Sequence, residues 1–296
     1  MKQVVILSGK GGTGKTSISA SLAHLAFTAA IPAVLADADV DAANLELLLS
    51  PRVLEEHEFV GGKVASIDPE LCIACGLCKQ ACRFDAILED QGAYRVDPIG
   101  CEGCTACFYQ CPTAAIKMEP QVAGHWFHSE SRYGPLFHAV LRPAQENSGK
   151  LVALVKQKAH LLALDEKYPL VLVDGPPGIG CPAISAVTDA SLTLIIAEPT
   201  MSGIHDMERA VQMAQHFNIP MVVCINKSDI FLEGAALIEE YCQQQNITVL
   251  TRIPFDANVT KAMVYGEPVT VFCPDSPASR SILELWQKLV NIIQID

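Results

Sequence analysis

A glycine-rich segment near the start of the chain has the residue types that bind nucleotide phosphates. Gly9, Gly14, Lys15 and Thr16 fit the spacing G-x-x-x-x-G-K-[ST], between an apolar run at 4–7 and a helix-like stretch at 17–30. In such a loop, backbone N–H groups hold phosphate oxygens, the lysine reaches the β- and γ-phosphates and the hydroxyl ligates Mg²⁺. The predicted nucleotide-binding residues are Gly9, Gly11, Gly12, Thr13, Gly14, Lys15, Thr16 and Ser17, with Thr16 also a ligand of Mg²⁺.

Two cysteine runs in the middle of the chain have the spacing of iron–sulfur ligands. The pattern Cys-x-x-Cys-x-x-Cys-x-x-x-Cys occurs at 72–82 and again at 101–111. In bacterial ferredoxins the first three cysteines of each run bind one cluster and the fourth binds the other cluster. By that rule the chain holds two [4Fe–4S] clusters, one on Cys72, Cys75, Cys78 and Cys111 and the other on Cys101, Cys104, Cys107 and Cys82.

Zinc is the alternative metal, because paired Cys-x-x-Cys segments also form four-thiolate zinc sites. In each run a third cysteine stands three positions after the pair, and this spacing favours clusters instead. One departure from the ferredoxin pattern is Arg83, which follows Cys82 where proline is usual. This change removes no ligand. It leaves open whether the cluster bound by Cys82 has the usual reduction potential.

Composition limits the kind of protein. With 296 residues and 50% hydrophobic content, the chain can bury a full α/β core and carry a smaller module. The net charge of −12 and the pI of about 5.1 disfavour nucleic-acid binding. We expect a cytoplasmic protein, because the N-terminus has no signal-peptide pattern and the clustered cysteines indicate metal rather than disulfides.

The additional lysine in the loop carries a family resemblance. With Lys10 inside the segment Lys-Gly-Gly-Thr-Gly-Lys-Thr, the chain resembles the deviant Walker ATPases, which include MinD, ParA, the nitrogenase iron protein and the Mrp-type cluster carriers. The resemblance implies a nucleotide-dependent homodimer in which Lys10 reaches the partner's nucleotide. It also implies that Asp39, after the predicted strand 33–37, positions the attacking water or the Mg²⁺ shell.

A second acidic strand end completes the predicted catalytic set. Residues 170–174 form a continuous apolar run that ends at Asp174 and leads into a loop containing Gly178. An aspartate there holds the Mg²⁺ shell, and the loop after it senses the γ-phosphate through a backbone N–H. Lys10, Lys15, Asp39 and Asp174 are the predicted catalytic residues.

The segment Asn226-Lys227-Ser228-Asp229 is compatible with recognition of either guanine or adenine. It looks like the guanine-reading motif of GTPases. MinD-like ATPases also place an asparagine here against adenine, with help from a segment such as Ile253-Pro254-Phe255-Asp256. Lys10 favours ATP over GTP, so that Asn226, Pro254 and Asp256 are the predicted base-binding residues.

The predicted fold class is α/β, a doubly wound and mostly parallel sheet of the P-loop type with an inserted small α+β ferredoxin-like domain. The ATPase domain comprises 1–57 and 120–296, and the two-cluster domain comprises 58–119. The amphipathic stretch 281–290 has few basic residues, so we expect it to dock on the sheet rather than on a membrane. Cys181 has the spacing from Asp174 of a bridging-cluster ligand in the nitrogenase iron protein, but no second cysteine accompanies it.

Two functions follow from these predictions. The first is an ATP-hydrolysing iron–sulfur protein whose nucleotide-driven dimer switch gates electron transfer or cluster delivery to an acceptor protein. The alternative is a MinD-like positioning or scaffold ATPase in which the clusters are structural.

Overall fold

The computed structural model describes residues 1–142 and 148–294. Its strands are β1 (Lys2–Ser8), β2 (Ala33–Asp37), β3 (Arg52–Ile67), β4 (Ile87–Asp90), β5 (Ala93–Val96), β6 (Ile116–Ser131), β7 (Gly134–Leu141), β8 (Leu170–Pro177), β9 (Leu192–Ala197), β10 (Met221–Asn226) and β11 (Thr248–Ile253). Its helices are α1 (Lys15–Thr28), α2 (Leu45–Leu49), α3 (Leu77–Ala81), α4 (Ala106–Gln110), α5 (Ser148–Asp165), α6 (Cys181–Val187), α7 (Met201–His216), α8 (Leu232–Gln244), α9 (Ala257–Val264), α10 (Val269–Phe272) and α11 (Pro277–Ile293).

In the described residues one sheet has nine strands in the order β11-β10-β9-β1-β8-β2-β7-β6-β3. The pairs from β11 across to β2, and β2 with β7, are parallel. Strands β1, β2 and β9 are almost entirely buried, because helices cover both faces of a parallel sheet. This arrangement confirms the predicted α/β fold with a mostly parallel sheet, and it gathers the carboxyl ends of β1, β2 and β8 at one edge.

The C-terminal helix belongs to the core of this sheet. Ile282, Leu285, Trp286 and Leu289 of α11 lie on one helical face and are buried in the same cluster as α1. The prediction that this stretch docks on the protein is confirmed. No helix among the described residues has the length and apolarity needed to span a lipid bilayer.

Strands β6 and β7 occupy a region whose sequence pattern predicts no element. Polar residues on them are buried, which breaks the alternation of apolar and polar residues that normally marks a strand. Ser129 is fully buried, and its Oγ lies 3.0 Å from Nε2 of His138. Burial lowers the pKa of His138 to about 4, so this histidine is neutral at physiological pH.

The described residues cluster into two compact units. The first takes its residues from Met1–His57, Trp126–Val140 and 148–294, and the second from Glu58–His125 and 141–142. The second unit contains both cysteine runs and a two-stranded antiparallel sheet of β4 and β5.

The second unit repeats its backbone conformation along the sequence, in step with the two cysteine runs. Helices α3 and α4 have the same length, and Cys82 and Cys111 follow them with nearly identical dihedral angles of φ −79°, ψ 114° and φ −78°, ψ 112°. Positive φ angles also recur at equivalent positions: Ala74 and Gly103, Gly76 and Thr105, Asp85 and Ala114. The two cysteine runs are therefore a structural repeat as well as a sequence repeat.

Candidate functional site

The glycine-rich loop lies between β1 and α1, as the sequence predicts for a phosphate-binding loop. Gly14 has a φ of +90° and immediately precedes α1, a conformation that favours glycine. Gly9 packs against α7 so closely that a Cβ would lie 2.3 Å from the carbonyl oxygen of Asp206. These two glycines have separate reasons to be glycine, one conformational and one steric.

Lys15 lies between two acidic strand ends. Its Nζ is 3.0 Å from Oδ1 of Asp174 and 3.7 Å from Oδ2 of Asp39. Burial opposes the charged form of Lys15, but Asp174, Asp37 and Asp39 outweigh this penalty and raise the pKa of the lysine. Burial also raises the pKa of Asp39, and Lys15 partly offsets that effect. The structure thus brings together three of the four predicted catalytic residues.

Asp37 and Ser19 also belong to this site, although neither is among the predicted site residues. Asp37 is fully buried and lies opposite Asp174 in the parallel register of β2 and β8. Its carboxylate accepts the N–H groups of Asp39 and Leu45 at 3.1 and 3.0 Å, while burial next to Asp174 raises its pKa. Ser19 lies one helical turn after Lys15, and its Oγ is 2.7 Å from Oδ1 of Asp174.

The loop residues fit a nucleotide with Mg²⁺. Thr16 Oγ1 donates to Oδ2 of Asp174 at 2.7 Å, which places together the hydroxyl and the carboxylate that would form the Mg²⁺ shell. Thr13 Oγ1 is buried and has no hydrogen-bond partner among the described residues. Ser17 Oγ lies 3.2 Å from the sulfur of Met263, and Gly11 and Gly12 are exposed at the loop.

Lys10 lies apart from the other catalytic candidates in the single chain. Its Nζ donates to Thr200 Oγ1 and to Ser202 Oγ, both at 3.1 Å, beside the start of α7. The Thr200 hydroxyl also accepts the N–H of Gly203 as the N-cap of α7, which fixes its position. The Lys10 ammonium group is therefore held at the start of α7 and not beside Lys15, Asp39 or Asp174 of its own chain.

Replacement of Lys10 by alanine is expected to separate binding from hydrolysis. Because Lys10 makes no contact with Lys15, Asp39 or Asp174 in this structure, Lys10→Ala leaves nucleotide affinity of one subunit largely intact. If Lys10 acts on the partner's nucleotide, hydrolysis falls by about 100-fold or more, the usual effect of losing a transition-state donor. Equilibrium binding and phosphate-release assays on the same samples measure both quantities. Equal losses in affinity for Lys10→Ala and Lys15→Ala would contradict the role across the dimer.

The loop after β8 is anchored to the base of the phosphate loop. Gly178 has a φ of +88°, and its N–H donates to the carbonyl oxygen of Ser8 at 2.9 Å. The N–H that the sequence assigns to γ-phosphate sensing is therefore occupied by Ser8. Sensing by Gly178 requires this hydrogen bond to break.

The predicted base-binding residues lie in two adjoining loops, where each has a structural partner. Asn226 Nδ2 donates to the carbonyl oxygen of Thr13 at 2.6 Å. Asp229 Oδ1 accepts the N–H of Phe255 at 2.6 Å, which joins the loop after β10 to the loop after β11. Pro254 is half-buried in the second loop, and Asp256 caps α9 through the N–H of Asn258 at 2.9 Å. Lys227, which is not among the predicted base-binding residues, donates to the carbonyl oxygen of Gly12 at 3.0 Å.

Eight cysteines surround two cavities in the second unit. One cavity is lined by Cys72, Cys75, Cys78 and Cys111. The other is lined by Cys82, Cys101, Cys104 and Cys107. Each cavity thus takes three thiols from one run and the fourth from the other run. Within 1–142 and 148–294, no group of three or more His, Cys, Asp or Glu side chains converges on a position for a single metal ion.

The remaining cysteines lie outside both cavities. Cys181 is exposed at the first residue of α6, whereas Cys224 and Cys242 are buried and Cys273 is half-buried. Burial raises the pKa of Cys242 to about 11 and that of Cys224 further, so neither thiol ionises at neutral pH.

The parallel sheet, the glycine-rich loop and the carboxylates around its lysine define a P-loop nucleotide-binding α/β protein. The chain belongs to the CobQ/CobB/MinD/ParA nucleotide-binding family, whose sequence profile matches residues 4–269.

Three further proteins show what the chain is similar to. An uncharacterized protein of Methanocaldococcus jannaschii is 34% identical over 295 residues, which cover 98% of this chain and 97% of that protein. An iron–sulfur cluster carrier protein of Pyrococcus horikoshii is 30% identical over 135 residues, 41% of this chain and 45% of the carrier. The structure of the septum site-determining protein MinD complexed with Mg-ADP, from Pyrococcus horikoshii, has a TM-score of 0.60 at 17% identity, over 98% of this chain and 96% of that one.

Proposed function

We propose that this protein is an ATP-hydrolysing iron–sulfur protein in which a nucleotide-dependent homodimer controls electron transfer or cluster delivery to an acceptor protein. The observation that carries the proposal is the presence in one chain of the Lys15 site and of two cavities that each receive four cysteines. Neither site by itself implies coupling, but together they supply a nucleotide switch and a place for redox centres.

The Lys15 site supports ATP hydrolysis. Lys15 would neutralise phosphate charge, Thr16 and Asp174 would hold Mg²⁺, and Asp39, 3.7 Å from Lys15, would orient the attacking water. Asp39 and Asp174 neutralise Lys15 in this structure. A phosphate that binds Lys15 would compete with both carboxylates, so we expect the Asp39 and Gly178 loops to respond to nucleotide.

The cysteine cavities support cubane clusters. A [4Fe–4S] cluster needs four thiolates held apart, one on each iron, whereas zinc needs four sulfurs at about 2.3 Å from one point. Thiols that line a cavity match the first requirement, and the crossed origin of the fourth cysteine matches the two-cluster rule. The clusters would supply one-electron redox chemistry, and Cys72, Cys75, Cys78 and Cys111, with Cys82, Cys101, Cys104 and Cys107, would hold them.

Similarity to relatives supports the nucleotide part of the proposal more strongly than the iron–sulfur part. The family profile spans the nucleotide domain, and the MinD structure with Mg-ADP shares its fold. The iron–sulfur cluster carrier proteins match only part of the chain. Their similarity supports the proposal that this protein handles clusters, but to a smaller extent.

The rival function is a positioning or scaffold ATPase like MinD with structural clusters. Lipid binding that depends on ATP would favour it. In this structure the apolar face of the C-terminal helix is buried in the core, so that α11 is not a free membrane-binding element.

The first experiment is anaerobic purification followed by iron and sulfide analysis and EPR of the reduced protein, with and without ATP. We expect about eight irons and about eight sulfides per chain, as two cubanes require. A stoichiometric zinc content without charge-transfer absorption would contradict the redox half of the proposal.

For the base, we expect ATP to bind more tightly than GTP. A guanine-reading aspartate must offer its carboxylate to the base, but Oδ1 of Asp229 already accepts the N–H of Phe255 at 2.6 Å. Competitive displacement of a fluorescent nucleotide by ATP and by GTP measures the preference. Tighter binding of GTP, reversed by Asp229→Asn, would show instead that residues 226–229 read guanine.

A further inference from the structure

The two cysteine cavities differ at one equivalent position of the repeat. Thr113 follows Cys111 by two residues, and Phe84 follows Cys82 by two residues. Thr113 Oγ1 lies 3.7 Å from Sγ of Cys111, and the N–H of Ala115 donates to the same sulfur at 3.3 Å. A thiolate at Cys111 therefore has one backbone donor and one hydroxyl donor within reach.

The linings of the two cavities extend this difference. Thr113 brings a hydroxyl group to the cavity that contains Cys111, whereas the hydroxyl of Tyr94, in the same lining, is paired with Glu89. Phe84 and Met118, which have no O–H or N–H group, line the cavity that contains Cys82. The hydroxyl of Thr105 in that lining donates to the carbonyl oxygen of Cys104 at 2.6 Å. Phenylalanine at position 84 cannot donate a hydrogen bond to a sulfur, whereas threonine at 113 can.

Nearby charges do not offset the difference. Arg83 and Glu102 are both exposed and adjoin Cys82 and Cys101, and their charges are opposite. Near the other cavity, Lys79 and Glu89 form an exposed ion pair at 3.1 Å. Lys117 lies 3.6 Å from Asp68, next to the loop of Cys72. Charges of both signs thus adjoin each cavity, and solvent screens those that are exposed.

We propose that the cluster held by Cys72, Cys75, Cys78 and Cys111 has the more positive reduction potential of the two, and that Thr113 sets this order. The inference rests on the proposed function, since it requires both clusters. Reduction adds one negative charge to a cluster and its sulfurs, and donors to those sulfurs stabilise the reduced state. The first electron taken from a one-electron reductant therefore reduces this cluster, while the cluster of Cys82, Cys101, Cys104 and Cys107 stays oxidised.

The test is an EPR-monitored redox titration of the full-length protein, purified anaerobically, with dithionite as reductant. Thr113→Val keeps the shape of the side chain and removes its hydroxyl. We expect it to shift the more positive potential in the negative direction and to leave the other potential in place. Phe84→Thr is the reciprocal variant, and we expect it to shift the more negative potential in the positive direction. Phe84→Leu is its control and is expected to shift neither.

Iron and sulfide analysis of each variant confirms that both clusters are present. If Thr113→Val does not retain its clusters, Phe84→Thr decides the question, because position 84 is 47% exposed and tolerates a smaller side chain. The assignment would be overturned if Thr113→Val shifted the more negative potential, if Phe84→Thr shifted the more positive one, or if neither variant shifted any potential. Fewer than two clusters in the unmodified protein would overturn the proposed function, and this assignment with it.

Discussion

Lys15→Ala is expected to lower nucleotide affinity by at least about 100-fold, which corresponds to roughly 2.8 kcal/mol of binding free energy. The physical reason is twofold. The variant loses the cation that contacts the β- and γ-phosphates, and it leaves Asp37, Asp39 and Asp174 without their shared positive partner. The remaining carboxylates then repel the phosphates. Isothermal titration with ATP and Mg²⁺ measures the loss.

Two comparisons make the Lys15 result specific. Lys15→Met keeps most of the side-chain volume, so a similar loss in this variant excludes a packing effect as the cause. Lys150→Ala removes an exposed lysine from α5 and is expected to leave affinity unchanged. Retention of wild-type affinity by Lys15→Ala would show that nucleotide does not bind at this loop.

Single cysteine replacements are expected to remove one cluster each, in a crossed pattern. Cys78→Ala and Cys111→Ala should abolish the same EPR signal, although the two residues belong to different runs, because they line the same cavity. Cys107→Ala and Cys82→Ala should abolish the other signal for the same reason. In each variant iron falls from about eight to about four per chain.

The matched control is Cys181→Ser, which alters an exposed cysteine outside both cavities. We expect it to keep the full iron content and both signals. Loss of one signal by both Cys78→Ala and Cys82→Ala would mean that each run holds its own cluster, and would contradict the crossed ligand sets.

The sequence predicted those parts of the molecule in which local pattern and chemistry coincide. The continuous apolar runs that end at Asp37 and Asp174 are buried parallel strands, and the structure places both as predicted. The position of the glycine-rich loop after β1 was also predictable. Its glycine spacing depends on the local backbone conformation, which a short stretch of sequence specifies.

Features that depend on tertiary contacts could not be predicted. Asp37 is not among the predicted site residues, but the pairing of β2 with β8 buries it beside Asp174. Ser19 joins the site only because α1 directs one of its faces at β8. Strands β6 and β7 were not predicted because they contain the polar residues Ser129 and His138. The sequence of such residues looks like that of a surface segment, and only the structure shows that the two side chains meet in the core.

A redox titration of the anaerobic protein with ATP, with ADP and without nucleotide tests whether nucleotide binding is coupled to the clusters. Coupling is reciprocal and typically amounts to about 1–3 kcal/mol, so ATP shifts at least one cluster potential by tens of millivolts if the coupling extends to the clusters. Asp174→Asn is expected to suppress the shift and to spare both clusters, because it alters the partner of Lys15 and Thr16 and lies outside the cysteine cavities. Three identical titrations would contradict nucleotide control of the redox centres in this protein.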